Sequence, residues 1–236
     1  MVKGKRITKR QLKEPDEFIT LTERAFIFFG QHSKKLTIGG VFILVLILAI
    51  ILFQVSERKK EEGAARLFGV ALETYERGVA QAQAREDSGQ GLKEALAKFD
   101  EVVAKFPRTS SGKLSRLYEG MIHLKQGEYD DAMKAYTIFL ENAGKERVYR
   151  YLAWGGLGHT YEGKKDYAKA LEAYQKILDM GEGYQLAEAH LNIGNCYDKL
   201  GKTKEAVDNF KAFLSNSQKS FLADVVVRKI SIVEKQ

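Results

Sequence analysis

The longest apolar stretch of the chain runs from Leu36 to Val55 and contains no charged side chain. Its twenty residues, at 1.5 Å each, would form a helix about 30 Å long, which matches the hydrocarbon core of a bilayer. A buried core helix would carry polar residues on one side, and a cleavable signal sequence would have a shorter apolar region. The pattern therefore predicts a single transmembrane helix over residues 36–55.

Residues 1–35 form a basic tail with nine Lys and Arg against four Asp and Glu, within a chain of net charge +7. This bias favours a cytoplasmic N-terminus and a C-terminal domain across the membrane. Within the tail, Pro15–Gln31 has apolar side chains at helical spacing. Two interpretations stay open for this segment, an amphipathic helix on the membrane surface or an apolar approach to the span.

Small and aromatic residues recur after the span with a period of 36–38 residues. In each unit a glycine is followed by an alanine twelve positions later and by an aromatic residue four positions after that. Such a period indicates stacked pairs of helices, in which small residues let backbones approach and aromatic rings fill the adjacent space. The repeat-core residues are Gly120, Ala132 and Tyr136; Trp154, Leu157, Gly158, Tyr161, Ala170 and Tyr174; and Gly194, Tyr197, Ala206 and Phe210.

The second unit reads Trp154-x-x-Leu157-Gly158-x-x-Tyr161, which resembles the tetratricopeptide repeat. The predicted fold is therefore all-α, a transmembrane helix followed by a tetratricopeptide-like solenoid. Residues 56–112 are expected to form an irregular first repeat, 113–218 three repeats, and 219–236 a capping helix that shields the last repeat from water. Gly127 and Gly201 are placed to end first helices in a left-handed conformation, with Lys165 at the equivalent position of the second unit.

Charge and reactive residues argue against nucleic-acid binding and catalysis. Residues 56–236 hold 29 basic and 27 acidic side chains, a balanced surface rather than a phosphate-binding one. The single cysteine, Cys196, has no partner for a disulfide and is predicted to be an apolar filler. The four histidines lie in separate segments without metal-ligand spacing. We expect no metal, no cofactor and no enzymatic activity.

The remaining candidate site is the concave groove along the first helices of the repeats. It is predicted to be apolar at one end and polar at the other, which suits an extended or helical peptide. The alternative is that some of its leucines pack on a neighbouring helix. The groove residues are Leu114, Leu117, Met121, Leu124 and Lys125; Leu152, Gly155, His159 and Glu162; and Glu188, Leu191, Asn192, Asn195 and Asp198.

The resemblance to tetratricopeptide domains has a specific consequence in the third unit. Domains of that family that grip a terminal carboxylate use a lysine at the groove position held here by Leu191. Only Asn192 and Asn195 are similar to that clamp, so capture of a terminal carboxylate is not expected.

The whole architecture resembles one bacterial group. The segment Glu17-Phe18 with Glu23-Arg24, the anchor after Lys34-Lys35, and the repeat body look like the YfgM-type ancillary subunits of the SecYEG translocon. That resemblance implies an inner-membrane protein with a periplasmic repeat domain, which would pass emerging chains from the translocon to periplasmic chaperones. The leading hypothesis is a translocon-associated, chaperone-like adaptor. The alternative is a structural scaffold of a secretion or cell-wall assembly.

Overall fold

The computed structural model describes residues 17–84, 89–144, 146–181, 185–217 and 221–235, with side chains from residue 22 onward. The basic tail up to residue 16 lies outside these ranges. Within them all regular structure is helical, which confirms the all-α prediction. The helices are α1 (Glu17–Gln83), α2 (Gln90–Lys105), α3 (Ser110–Gln126), α4 (Tyr129–Asn142), α5 (Arg147–Gly163), α6 (Tyr167–Asp179), α7 (Gln185–Lys199), α8 (Thr203–Asn216) and α9 (Ala223–Val233).

The chain divides into two compact units, Met1–Arg58 and Lys59–Gln236. In the first unit, α1 passes through the predicted span without a break, because no proline interrupts residues 17–83. Helix α1 therefore includes residues 17–31 of the apolar tail segment as well as the predicted span. This helix is long and apolar enough to cross a membrane, and none of its most apolar 18-residue stretch is buried within the protein.

The second unit stacks helix pairs in chain order. Helix α3 packs on α4, α5 on α6 and α7 on α8, and α2–α3, α4–α5 and α6–α7 contacts join successive pairs. Its first layer is aromatic: Tyr118 of α3 lies 5.0 Å from Phe99 of α2 and 5.3 Å from Tyr75 of α1, between ring centroids. Rings at these separations stabilise the layer beyond the area they bury.

Each predicted repeat contains a contact between a glycine backbone and an aromatic ring. A Cβ added at Gly120, Gly158 or Gly194 would lie 2.8, 2.3 or 2.6 Å from the ring of the unit's own aromatic residue. These partners are Tyr136, Tyr174 and Phe210 in turn, and all three are almost completely buried. Larger residues at these glycines would force the two helices of a pair apart.

The turns between the helices of each pair follow the sequence pattern. Gly127 and Gly201 have φ of 76° and 71°, in the left-handed region that glycine adopts without steric cost. Lys165 takes the same conformation in the second pair with φ of 61°. The second repeat, α5 and α6, therefore keeps the turn geometry although its sequence lacks the glycine.

We expect Gly158→Ala to lower the free energy of unfolding by about 1–3 kcal/mol, because the new methyl group overlaps the buried ring of Tyr174. The matched control is Gly155→Ala on the same helix, where the nearest atom to the added Cβ is Ile177 Cδ1 at 4.0 Å. That variant should gain about 0.5–1 kcal/mol from helix propensity alone. Urea unfolding of the full chain in detergent, followed by Trp154 fluorescence, measures both. Equal stability of the two variants would contradict the contact.

One buried acid was not anticipated from the sequence. The side chain of Glu119 in α3 is only 3% exposed and accepts a 2.8 Å hydrogen bond from Arg116 Nη1 at one oxygen. Its other oxygen, Oε1, has no hydrogen-bond partner among the described residues. Burial raises the pKa of Glu119 from 4.5 to about 7 despite the nearby Arg116 charge, and Asp100 adds to the rise.

A raised pKa means that folding favours the protonated acid. The stability contribution of Glu119 is then fully present below about pH 4.5 and is lost as the pH rises through about 7. We expect wild type to lose about 2–3 kcal/mol between pH 5 and pH 8 relative to Glu119→Gln. Urea unfolding at the two pH values measures this, with exposed Glu141→Gln as the control. A pH dependence that is identical in wild type and Glu119→Gln would disprove it.

Candidate functional site

A cleft of about 310 Å³ opens along the first helices of the repeats, and we call it the inner cleft. Helices α3, α5 and α7 contribute most of its wall. The predicted groove residues in its lining are Met121, Leu124, Lys125, Leu152, Gly155, His159 and Glu188. Tyr136, Tyr151 and Gly156 also line it. The sequence predicted Tyr136 to be a repeat-core residue only. The structure shows that Tyr136 is buried in the core and also lines the inner cleft.

Two residues expected in the groove lie elsewhere. Leu117 is 1% exposed and packs in the core with Ala132 and Tyr136, so it cannot contact a ligand in the groove. Leu114 lines a different cleft, together with Phe139 and Tyr149. Leu114 is also partly buried against this core cluster, so both leucines pack on neighbouring helices, as the packing alternative allowed.

At the third repeat, the protein's own helix α9 occupies part of the predicted groove. Lys229 of α9 donates a 2.5 Å hydrogen bond to Asn195 Oδ1, lies 3.9 Å from Asp198 Oδ2, and sits over the ring of Phe210. Leu191 packs against the C-terminal core cluster, and Asn192 is half-buried. The groove predicted over the third unit is therefore partly covered by α9, and Asn195 bonds α9 rather than facing an open surface.

A hydrogen-bonded cluster borders the inner cleft at the end of α5. Nδ1 of His159 lies 3.0 Å from Glu162 Oε2 and 2.8 Å from the Tyr174 hydroxyl oxygen. The Tyr174 hydroxyl donates a 2.7 Å hydrogen bond to the same carboxylate oxygen. Burial opposes ionisation of Glu162, but these hydrogen bonds outweigh it and hold its pKa below the usual value. Glu162 therefore acts as an internal acceptor that orients His159.

Cys196 approaches this cluster from α7. Its thiol lies 3.5 Å from Glu162 Oε1, and the residue is completely buried. Burial, reinforced by the neighbouring carboxylate, raises the pKa of the thiol to about 12. A thiol protonated at neutral pH is a poor nucleophile, so the structure supports the packing role predicted for Cys196.

A second cleft of about 440 Å³ lies between α4, α5 and α6. Trp154 and Tyr161, which the sequence assigned to the repeat core, are half-buried and line this cleft. The ammonium group of Lys169 lies 5.7 Å from the Tyr161 ring centroid. These large aromatic residues pack against the core with one face and border the cleft with the other.

Among the described residues, one group of side chains has potential metal-ligand atoms close enough to share a cation. The ligand atoms of His123, Glu128 and Asp131, at the turn between α3 and α4, lie within 4.8 Å of one another. His123 Nδ1 is 2.6 Å from Glu128 Oε2, so the imidazole already has a partner. Both carboxylates are exposed. Glu128 and Asp131 follow His123 by five and eight positions, across the turn between two helices. The sequence pattern of histidine pairs with metal-ligand spacing therefore misses this group.

These features define a helical-repeat protein with a cleft on the face formed by its first helices. The family model described as a tetratricopeptide repeat-like domain matches residues 27–235, so the match includes the apolar span. The chain belongs to this family. No curated protein sequence matches the chain.

Several solved structures are similar to the chain. The apo form of RapI has a TM-score of 0.58 at 16% identity, over 70% of this chain and 63% of the RapI chain, which is less than two thirds of its length. MamA AMB-1 has a TM-score of 0.48 at 20% identity, over 70% and 81% of the two chains. YrrB, a tetratricopeptide repeat protein with an unusual peptide-binding site, has a TM-score of 0.45 at 18% identity, over 67% and 77%. At 16% identity the likeness to RapI concerns the fold alone.

We expect Tyr174→Phe to lower the free energy of unfolding at pH 7 by about 1–2 kcal/mol, because Glu162 loses a hydrogen bond in a half-buried position. Since the folded pKa of Glu162 is below its ordinary value, this stabilisation is present above about pH 4.5 and is lost as the pH falls through the folded pKa. The difference from wild type should shrink at pH 3.

Urea unfolding of the full chain at pH 7 and pH 3 measures this effect. Tyr161→Phe is the matched control, because Tyr161 is a half-buried tyrosine of the same helix pair whose ring lines the second cleft. A deficit for Tyr174→Phe that is the same at both pH values would show that Glu162 is not the partner that matters.

Proposed function

We propose that this chain is a membrane-anchored adaptor that binds segments of other proteins in its inner cleft. The observation that carries the proposal is the cleft itself, where an apolar floor and a few polar groups lie on the face that the first helices form. Tetratricopeptide-like folds are typical of protein-binding scaffolds, and the family match supports that class. The uncharged helix of residues 36–55 would hold the adaptor in the bilayer.

The chemistry of the cleft favours binding over catalysis. His159, Glu162 and Tyr174 are bonded to one another, and the described lining of the cleft holds no serine, threonine or cysteine that His159 could activate. The Cys196 thiol is buried and protonated. Such groups position one another and shape the cleft wall.

We place the adaptor in a bacterial inner membrane, with its N-terminus in the cytoplasm and its repeat domain in the periplasm. The basic tail and the resemblance to YfgM-type subunits of the SecYEG translocon support this location. In that setting the partners are the translocon, emerging exported chains and the periplasmic chaperones that receive them. The cleft then binds many unfolded segments weakly.

A photo-crosslinking residue at Leu152 tests the proposal in intact membranes. Leu152 lines the inner cleft and is 38% exposed. Val148 lies one turn earlier on α5, is 61% exposed and is outside the cleft lining, so it is the matched control. The probe at Leu152 should form adducts with a translocon subunit and with diverse exported chains, and the probe at Val148 should not.

Other outcomes of this experiment have defined meanings. If the Leu152 probe forms adducts with one folded partner in stoichiometric amount, the chaperone-like role is rejected in favour of a structural scaffold of an envelope assembly. Identical adducts at both positions would reject the cleft as the binding surface. A topology reporter fused after Gln236 tests the location separately, and cytoplasmic reporter activity would reject a periplasmic repeat domain.

A further inference from the structure

The two ends of the inner cleft carry opposite charges. Lys125 lines it from α3 and Glu188 from α7, and both side chains are exposed. Glu188 accepts a hydrogen bond from the Tyr151 hydroxyl, which is a neutral donor. Neither Lys125 nor Glu188 forms an ion pair with any residue of the described ranges. Each charge is therefore available to a ligand in the cleft.

Between these charges the wall is apolar. Met121 and Leu124 of α3 face Leu152 of α5, and Gly155 leaves the space above the helix open. A bulky aliphatic or aromatic side chain placed here would lose most of its contact with water, which stabilises a complex. A volume of about 310 Å³ is at the small end of ligand sites, so it suits a short segment.

Of the two acids on α7, Glu188 is the one that remains available to a ligand, because α9 contacts the other. Asp198, on the same helix, lies 3.9 Å from the ammonium group of Lys229, which also bonds Asn195. Glu162 is occupied by the Tyr174 hydroxyl and His159. Leu191 supplies no charge to attract a carboxylate. In the described lining of the inner cleft, α7 therefore contributes an available acid and no lysine or arginine.

We propose that the inner cleft selects extended segments in which a bulky apolar residue is accompanied, on the side facing α7, by a lysine or arginine. The apolar residue occupies the floor formed by Met121, Leu124 and Leu152, and the cation contacts Glu188. Lys125 repels a second cation at the opposite end, so the basic residue stands on one side of the apolar one. This inference rests on the proposed function and specifies the class of segment bound.

Fluorescent peptides of about ten residues test this preference on the full chain in nanodiscs of zwitterionic lipid. Three Gly/Ser peptides share a central leucine pair and differ by lysine, glutamine or glutamate beside it. We expect the lysine peptide to bind about threefold to tenfold more tightly than the glutamate peptide at low salt, and glutamine to be intermediate. Raising the ionic strength should reduce the ratio.

Variants assign the preference to the named residues. Glu188→Gln should reduce the lysine-to-glutamate ratio to near one, and Glu205→Gln, an exposed acid on α8 away from the cleft, should leave it unchanged. Leu152→Lys should weaken binding of all three peptides. Trp154 fluorescence reports whether each variant is folded. A ratio that is unaffected by Glu188→Gln, or a preference for glutamate, overturns the inference.

The two proposals fail in different ways. If the peptides bind through Leu152 without a charge preference, the inference falls and the adaptor stands. If no peptide binds while the Leu152 probe still forms cleft-specific adducts in membranes, the inference again falls alone. If no peptide binds and the probe forms no specific adduct, both proposals are rejected.

Discussion

The repeat domain depends on the contact between a glycine backbone in each first helix and an aromatic ring in the following helix. Gly120, Gly158 and Gly194 leave space that Tyr136, Tyr174 and Phe210 fill completely. A close-packed interior tolerates little change of volume, so these contacts set how near the helices of a pair approach. Since pairs stack on one another through further contacts, a change in one spacing is transmitted to the next pair.

The same rings connect the core to the candidate site. The Tyr136 ring lies against Gly156 as well as Gly120, and it also lines the inner cleft. Tyr174 packs over Gly158 and directs its hydroxyl to Glu162 and His159 at the cleft border. The shape of the cleft is therefore a consequence of the packing that stabilises the fold. Side chains on the open face, such as Leu152 and Glu188, can vary with less effect on that packing.

Several elements could be predicted from the sequence because their causes are local. An uncharged stretch of twenty residues specifies a helix that fits a bilayer, and the left-handed turns follow from glycine and the repeat register. The burial of Ala132, Ala170 and Ala206 likewise follows from the period. The prediction was weaker for the groove, where Leu117 proved to be core and Leu114 to face another cleft. A helical period predicts an apolar stripe at least about 100° wide, which is too coarse to separate groove from interface.

The sequence by itself determined the helical class, the apolar span and the repeat period, because each depends on residues that are near one another in the chain. Only the tertiary structure decided which groove positions remain open. Lys229 covers Asn195 and Asp198 from 34 and 31 positions away, and Tyr151 reaches Glu188 across successive repeats. The buried Glu119 and the cluster of His159, Glu162, Tyr174 and Cys196 have the same origin. The pairs Arg116–Glu119 and His159–Glu162 are local to one helix. The burial of these groups and the contacts of Tyr174 and Cys196 with Glu162 come from helices packed together, and no local pattern encodes that packing.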